Sequence, residues 1–221
     1  GDGTLTSSNV PRQVGTGTNW SQVACGSLFT LGLRADGTLW QWGGVQYGSA
    51  TGNVPTQVGT GTNWSSISTG GGQNVAVRMD GSLWAWGHNY DGTYHPDPVQ
   101  EGVGTHWATA AVGERYTLAL ATNGAVWGWG DNYNGQIGDE GRRRRLPTQV
   151  GQMAGWKTAA GVSEHSLALR EDGTLWSWGD NVDDQLGICS ITYGQAEPVR
   201  VGTGMNWAVI AASSRASAGL R

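Results

Sequence analysis

Apolar and polar positions alternate along this chain in short runs, and the runs return in the same order. After Trp20, the stretch Gln22-Val23-Ala24-Cys25 reads as one strand, residues 30–34 as a second, 38–42 as a third, and a fourth lies near residues 55–58. Alternation on the third strand sets Leu39 on the face opposite Trp40 and Trp42, so both faces of the predicted sheet are apolar. A sheet of that kind must sit between neighbours. The second and third strands are joined at Asp36-Gly37, and Asp-Gly between alternating apolar residues marks a hairpin. Glycine recurs every few residues and no apolar stripe of period 3.6 persists, which argues against helices.

The same unit recurs along residues 1–221. One landmark tryptophan returns at Trp20, Trp64, Trp107, Trp156 and Trp207, at spacings of 43 to 51 residues. A second landmark, Trp-x-Trp-Gly, keeps step with it at Trp40/Trp42, Trp84/Trp86, Trp127/Trp129 and Trp176/Trp178, and these eight indoles read as the repeated core. A period of this length, with four strands per unit, means a solenoid, an array or a propeller. Small residues on the first strand of the units (Ala24, Cys25 and Gly26; Ala110 and Ala111; Ala159 and Ala160; Ala211 and Ala212) let the sheets converge on a common centre. The expectation is therefore an all-β chain forming a single β-propeller domain of four-stranded antiparallel blades.

The run Glu164-His165-Ser166-Leu167-Ala168-Leu169-Arg170, continuing to Trp178-Gly179-Asp180-Asn181 and then Gln185-Leu186-Gly187, resembles the repeat of the regulator of chromosome condensation family. Gln136-Ile137-Gly138-Asp139 supplies the same connector one unit earlier, while residues 44–52 and 88–96 depart from it. The resemblance implies a propeller, and the family usually closes with seven blades. For function it implies several classes: exchange factors for small GTPases, light sensors, ubiquitin-ligase modules and secreted bacterial binders. About five blades are expected here, the last incomplete or shared between the termini, because the fifth unit ends at Leu220-Arg221 where Asp-Gly-Thr-Leu-Trp should follow. The N-terminal Gly1-Asp2-Gly3-Thr4-Leu5 reads in two ways, as that missing hairpin or as the tail of a connector. Sharing would make a monomer, whereas an open fifth blade would make an oligomer through its edge.

Composition narrows the function classes. The 38 Gly, 13 Trp, 6 Tyr and single Phe suit tight turns and strands, and a net charge of −4 argues against nucleic acid as the main ligand. No run is long and apolar enough to span a bilayer. Cys25 and Cys189 form neither a disulfide framework nor a metal spacing. No Gly-x-Ser-x-Gly elbow stands before a helix, so no catalytic residues and no cofactor are expected. His88 and His95, with Asp91 and Asp97, read as a solvated inter-strand loop rather than a metal site. His106 and His165 read as turn-bonding residues, and Asp180, Asp183 and Asp184 as an acidic loop without a calcium-ligand spacing. Asp36, Asp80, Asp172 and Asn123 precede glycine, as residues that accept backbone bonds in turns do.

The sharpest irregularity is Arg142-Arg143-Arg144-Arg145, in a connector where other units are small and polar. Twelve of the 13 basic residues are Arg, with Lys157 the single lysine. Tyr47, Tyr90, Tyr94, Tyr133 and Tyr193 all fall between third and fourth strands, which puts them on one rim with the arginines. Tyr and Arg are enriched at interface hot spots. The reading is a non-catalytic scaffold that binds a protein partner through rim loops. The alternatives are a carbohydrate-binding propeller and, from the resemblance alone, a guanine-nucleotide exchange factor. The Gly-Thr-Asn-Trp style of repeat suggests a secreted or surface bacterial protein.

Overall fold

The structure is a computed structural model that describes residues 1–4, 6–43, 52–102, 104–189 and 192–221. Among them there is no helix, and the strands form four four-stranded antiparallel sheets and a final two-stranded one. Blade 1 holds β1 (Trp20–Cys25), β2 (Phe29–Arg34), β3 (Leu39–Gly43) and β4 (Thr56–Gln57). Blade 2 holds β5 (Trp64–Gly70), β6 (Gln73–Arg78), β7 (Leu83–His88) and β8 (Tyr94–Glu101). Blade 3 holds β9 (Trp107–Val112), β10 (Tyr116–Ala121), β11 (Val126–Asp131) and β12 (Arg143–Gln149). Blade 4 holds β13 (Trp156–Val162), β14 (His165–Arg170), β15 (Leu175–Asp180) and β16 (Gly194–Arg200), and the fifth unit holds β17 (Val209–Ser213) and β18 (Ala216–Leu220). Each four-stranded blade runs in sequence order from first to fourth strand. The fourth strands are the outermost, and proline accompanies them: Pro55 before β4, Pro96 and Pro98 in β8, Pro147 in β12 and Pro198 in β16. Proline withholds a donor and so discourages pairing at an open edge.

Successive blades pack face to back. Leu31, Leu33 and Leu39 of blade 1 meet Trp64, Ala76 and Trp86 of blade 2. Val75, Val77 and Leu83 of blade 2 meet Trp107, Ala119 and Trp129, and Leu118, Leu120 and Val126 of blade 3 meet Trp156, Ala168 and Trp178. Within a blade the landmark indole stands edge-on to the first Trp of Trp-x-Trp, with centroids 6.0 to 6.3 Å apart. Such ring geometry contributes about 0.5–1.5 kcal/mol, whereas removing an indole's roughly 200 Å² from water contributes about 5 kcal/mol, so burial dominates.

Two sets of polar contacts hold the blades in register. At one end, the turn glycine of each hairpin accepts the backbone N–H of the next blade's landmark Trp: Trp64 to Gly37, Trp107 to Gly81, Trp156 to Gly124 and Trp207 to Gly173, at 2.9 to 3.1 Å. Those turns are tied by the preceding residue, since Asp36, Asp80, Asp172 and Asn123 accept the N–H two residues on, as the sequence suggested. The hydroxyls of Thr38, Ser82 and Thr174 hold the three Asp carboxyls below the usual carboxylate range. At the other end, the first residue of the second strand in blades 2, 3 and 4 reaches the next unit. Gln73 accepts from Thr117 (3.3 Å), the Tyr116 hydroxyl donates to the His165 carbonyl (2.6 Å), and His165 Nε2 lies 3.0 Å from Ser217 Oγ. His165 is thus an inter-blade bridge, not a turn residue, because it opens β14 and projects across the interface. Desolvation holds its pKa below the ordinary histidine value, against an opposing pull from Asp180. Burial likewise raises the Tyr116 phenol.

The termini do not share a blade. β18 pairs with β17 and with no N-terminal strand among the described residues, while the N-terminal segment lies on blade 1. There a Cβ on Gly1 would stand 2.5 Å from the Trp42 indole and 3.0 Å from Val14. The corresponding Gly138, at the end of the Gln-Ile-Gly connector, faces Val150 and the Trp178 indole in the same manner. Residues 1–4 and 6–14 therefore take the place of a preceding connector, the second of the two readings. The first strands of all five units line a central cavity of about 840 Å³, with Cys25, Ala110, Ala111, Ala159, Ala160 and Ala211 among its walls.

Gly173 combines φ +77° with contact to the next blade, where a Cβ would collide with the Met205 carbonyl; Gly151 has φ +58° and open space around it. Gly151→Ala should lower the unfolding free energy by about 1 kcal/mol through left-handed strain alone. Gly173→Ala should lower it by several-fold more in urea titrations. Histidine protonation is a second test. Because the folded-state pKa of His165 is lowered, the unfolded chain binds the proton more readily, so stability should fall as pH drops below about 6.5. His165→Gln, which installs the residue used at Gln73, should flatten that part of the Tm-against-pH curve.

Candidate functional site

The candidate residues from the sequence fall in or beside the connectors between third and fourth strands, and in blades 3 and 4 these connectors are pinned. Asn132 Oδ1 accepts the Ile137 N–H (2.7 Å), and its amide donates to Asp139 Oδ1 (2.7 Å) and the Gly141 carbonyl (2.6 Å). Asn181 repeats the pattern, accepting from Leu186 (3.0 Å) and donating to the Thr192 carbonyl (3.0 Å). Ile137 is drawn down over Gly128, where a Cβ would stand 2.7 Å from it. The Gln136 carbonyl accepts both Ser166 Oγ (2.7 Å) and the Trp178 indole N–H (2.9 Å) of the next blade. The backbones of these loops are consequently held by buried polar bonds.

Between the two connectors lies a cleft of about 480 Å³. Tyr133, Asn134, Glu140 and Arg142 line it from blade 3, and Tyr193 and Gln195 from blade 4. Tyr133 is 67% and Tyr193 82% exposed, high values for aromatic residues in a chain that buries most of its indoles. Among the described residues, no hydrogen bond or ion pair engages the Arg142 side chain, while its carbonyl accepts from Asn132.

The four consecutive arginines separate according to strand alternation. Arg143, Arg144 and Arg145 open β12 rather than sitting in the connector, because Asp131↔Arg143 and Gly130↔Arg144 pair across the sheet. Arg143 Nε lies 2.9 Å from Asp131 Oδ1, its terminal nitrogen donates to the Tyr90 carbonyl, and its guanidinium stands over the Tyr90 ring. Asp131, with a side chain 10% exposed, also holds Arg115 Nε at 2.7 Å. Arg144 pairs with Asp139 at 2.7 Å. Arg145 is exposed, and its carbonyl accepts the Tyr90 hydroxyl (2.7 Å). Burial, with Glu101 and Asp91 nearby, pushes the Tyr90 phenol up to about 12. Glu101 is not a counter-ion to the arginines: it accepts the Trp129 indole N–H (3.2 Å), and desolvation keeps it above the usual carboxylate range.

The remaining sequence candidates divide plainly. Tyr94 opens β8 and stacks on His88 with centroids 5.0 Å apart, away from the cleft. Tyr47 lies outside the described residues. His88 and His95 are not in a loop, since His88↔Tyr94 and Gly87↔His95 are paired positions of the β7–β8 hairpin. Asp180 accepts from Gln185 (2.7 Å), and Asp183 pairs with Arg215 at 3.5 Å. Trp86, Trp129 and Trp178 are buried between blades and Trp42 is buried under the N-terminal segment, while Trp40, Trp84, Trp127 and Trp176 are half-buried, each against its landmark indole. Sequence reasoning missed Asp131 and Arg115. Asp131 was legible as the Asp of Trp-Gly-Asp-Asn, but that it gathers two guanidiniums depends on the β11–β12 register.

Fold and loops together define a β-propeller whose blade 3 and blade 4 connectors are held by buried side-chain hydrogen bonds. The family model described as the regulator of chromosome condensation (RCC1) repeat matches residues 20–48, 108–136 and 157–185, and a second model of the repeat matches 123–169. Among solved structures, human WBSCR16 superposes with a TM-score of 0.83 at 23% identity, over 95% of this chain and 60% of that one. Prp20p from Saccharomyces cerevisiae gives 0.82 at 21%, over 94% and 57%. The CRINKLY WD40 ectodomain of the Arabidopsis thaliana receptor kinase ACR4 gives 0.60 at 18%, over 96% and 62%. No curated protein sequence matches the chain. This chain is an RCC1-like repeat β-propeller, and it spans less than two thirds of the length of these structures.

Arg143→Ala should cost about 1–3 kcal/mol in urea unfolding, because it strips a mostly buried carboxylate of one partner. Arg142→Ala should stay within about 0.5 kcal/mol of the parent, since its side chain holds nothing.

Proposed function

We propose that this chain is a non-catalytic binding scaffold that recognises a protein partner through its connector face. The observation that carries the reading is the cleft between blades 3 and 4, where two exposed tyrosines and the unpaired Arg142 stand on loops fixed by buried asparagines. Rigid aromatic side chains give contact area at low entropic cost, and Arg adds directional donors. Yeast RCC1 (Prp20) has been solved bound to Kap60, and Prp20p has been characterised for binding Gsp1p and histones, which supports protein recognition on this fold. A sugar ligand has less to stack on, since the indoles of the repeat serve the blade packing and the tyrosines stand alone. Exchange-factor activity would rest on likeness to the family, with no residue here assigned to it.

Selection of a random peptide library on the immobilised protein, run beside a glycan array, tests this. Selected peptides should lose at least tenfold in affinity on Tyr133→Ala/Tyr193→Ala with Tm unchanged. Glycan binding cancelled by free sugar, or accelerated nucleotide release from a small GTPase, would replace the reading.

A further inference from the structure

The arginines around β12 outnumber the carboxylates that hold them. Arg115 and Arg143 share Asp131, and Arg144 takes Asp139. Arg142 and Arg145 are exposed, and among the described residues neither side chain has a hydrogen-bonded or ionic partner. Arg115 is paired through Nε alone, with a side chain 60% exposed, so its two terminal nitrogens are open to solvent. Asp131, Asp139 and Glu140 lie among these five guanidiniums and Asp91 and Glu101 lie near Tyr90, so the charges are close to balanced, and what the rim presents to solvent is the free forks of Arg142 and Arg145. This patch borders the cleft on the blade 3 side, and Asn132 links the two by donating to the Arg142 carbonyl.

We infer that the blade 3 rim is a docking site for an acidic peptide segment of a protein partner, with Arg115, Arg142 and Arg145 as the recognising side chains. The assignment rests on the protein-binding reading above and names its chemistry. Guanidinium forks bind carboxylates bidentately, and the intramolecular pairs on Asp131 and Asp139 hold the neighbouring strand so that the unpaired forks are presented from a fixed backbone. Nucleic acid is disfavoured as the occupant. A duplex is bound by neutralising many phosphates, whereas this rim offers only a few free guanidinium forks on an acidic molecule.

The test is fluorescence anisotropy with a labelled peptide of alternating Glu and Gly. It is measured at low and physiological salt beside a neutral Gln/Gly peptide and a duplex DNA of similar length. The Glu peptide should bind more tightly than both comparators and weaken as salt rises. Arg142→Ser/Arg145→Ser should reduce its affinity at least tenfold with no change in Tm, because neither side chain supports the fold. Lys157→Ser, which removes a positive charge elsewhere, should leave the affinity within twofold. Equal binding of the Gln peptide, tighter binding of DNA, or an affinity indifferent to the double substitution overturns the inference. If the peptide library meanwhile yields tyrosine-dependent ligands lacking acidic residues, the scaffold reading stands and only the acidic-peptide assignment falls.

Discussion

Everything in this molecule depends on one asymmetric contact, the aliphatic face of one blade laid against the indole face of the next. Neither face is stable alone, because a four-stranded sheet with tryptophans on one side and leucines on the other exposes apolar surface both ways. Stacking Leu31, Leu33 and Leu39 on Trp64 and Trp86, and repeating the contact, satisfies one face of every blade with the opposite face of its neighbour. The contact is heterologous, so it propagates around an axis, and small residues near that axis allow the convergence that leaves the central cavity.

Hydrophobic stacking by itself would tolerate sliding, and the polar contacts remove that freedom. The carbonyl of a hairpin glycine meets the backbone N–H of the next landmark tryptophan, so no side chain fits at Gly37 or Gly173 even apart from their positive φ. Gln73, Tyr116 and His165 fill one structural position with three chemistries, yet each crosses to the following blade. What is conserved among the units is the reach and the hydrogen bond, not the residue.

The same rigidity extends to the connector loops on which the proposed recognition rests. Connectors fixed by Asn132 and Asn181 can carry Tyr133, Tyr193 and Arg142 without the ordering entropy that free loops lose on binding. The blade 3 connector also ties blade to blade through Gln136, so the architecture and the proposed recognition surface share one set of hydrogen bonds. Arg143 and Arg144, adjacent in sequence to Arg142, belong to the framework instead, neutralised by Asp131 and Asp139.

The repeat, the strands, the Asp-Gly turns and the burial of the Trp-x-Trp indoles were legible in the sequence, because each is set by local alternation and turn chemistry that recurs with the period. The family resemblance was legible for the same reason. The separation of the arginines into structural and presented members was not, since it depends on which residue of β11 faces which residue of β12. Nor was the position of the N-terminal segment, because Gly-Asp-Gly-Thr suits both a hairpin and a connector, and the choice falls to whether Trp42 or β18 offers the better-fitting surface. His165 follows the same logic: its sequence neighbours describe a strand start, while its bridging role exists only because the next blade brings Ser217 to within hydrogen-bonding distance. Local pattern thus determined the elements and their order. Contacts between blades, which join residues some 50 positions apart, decided which polar side chains hold the propeller together and which remain for a partner.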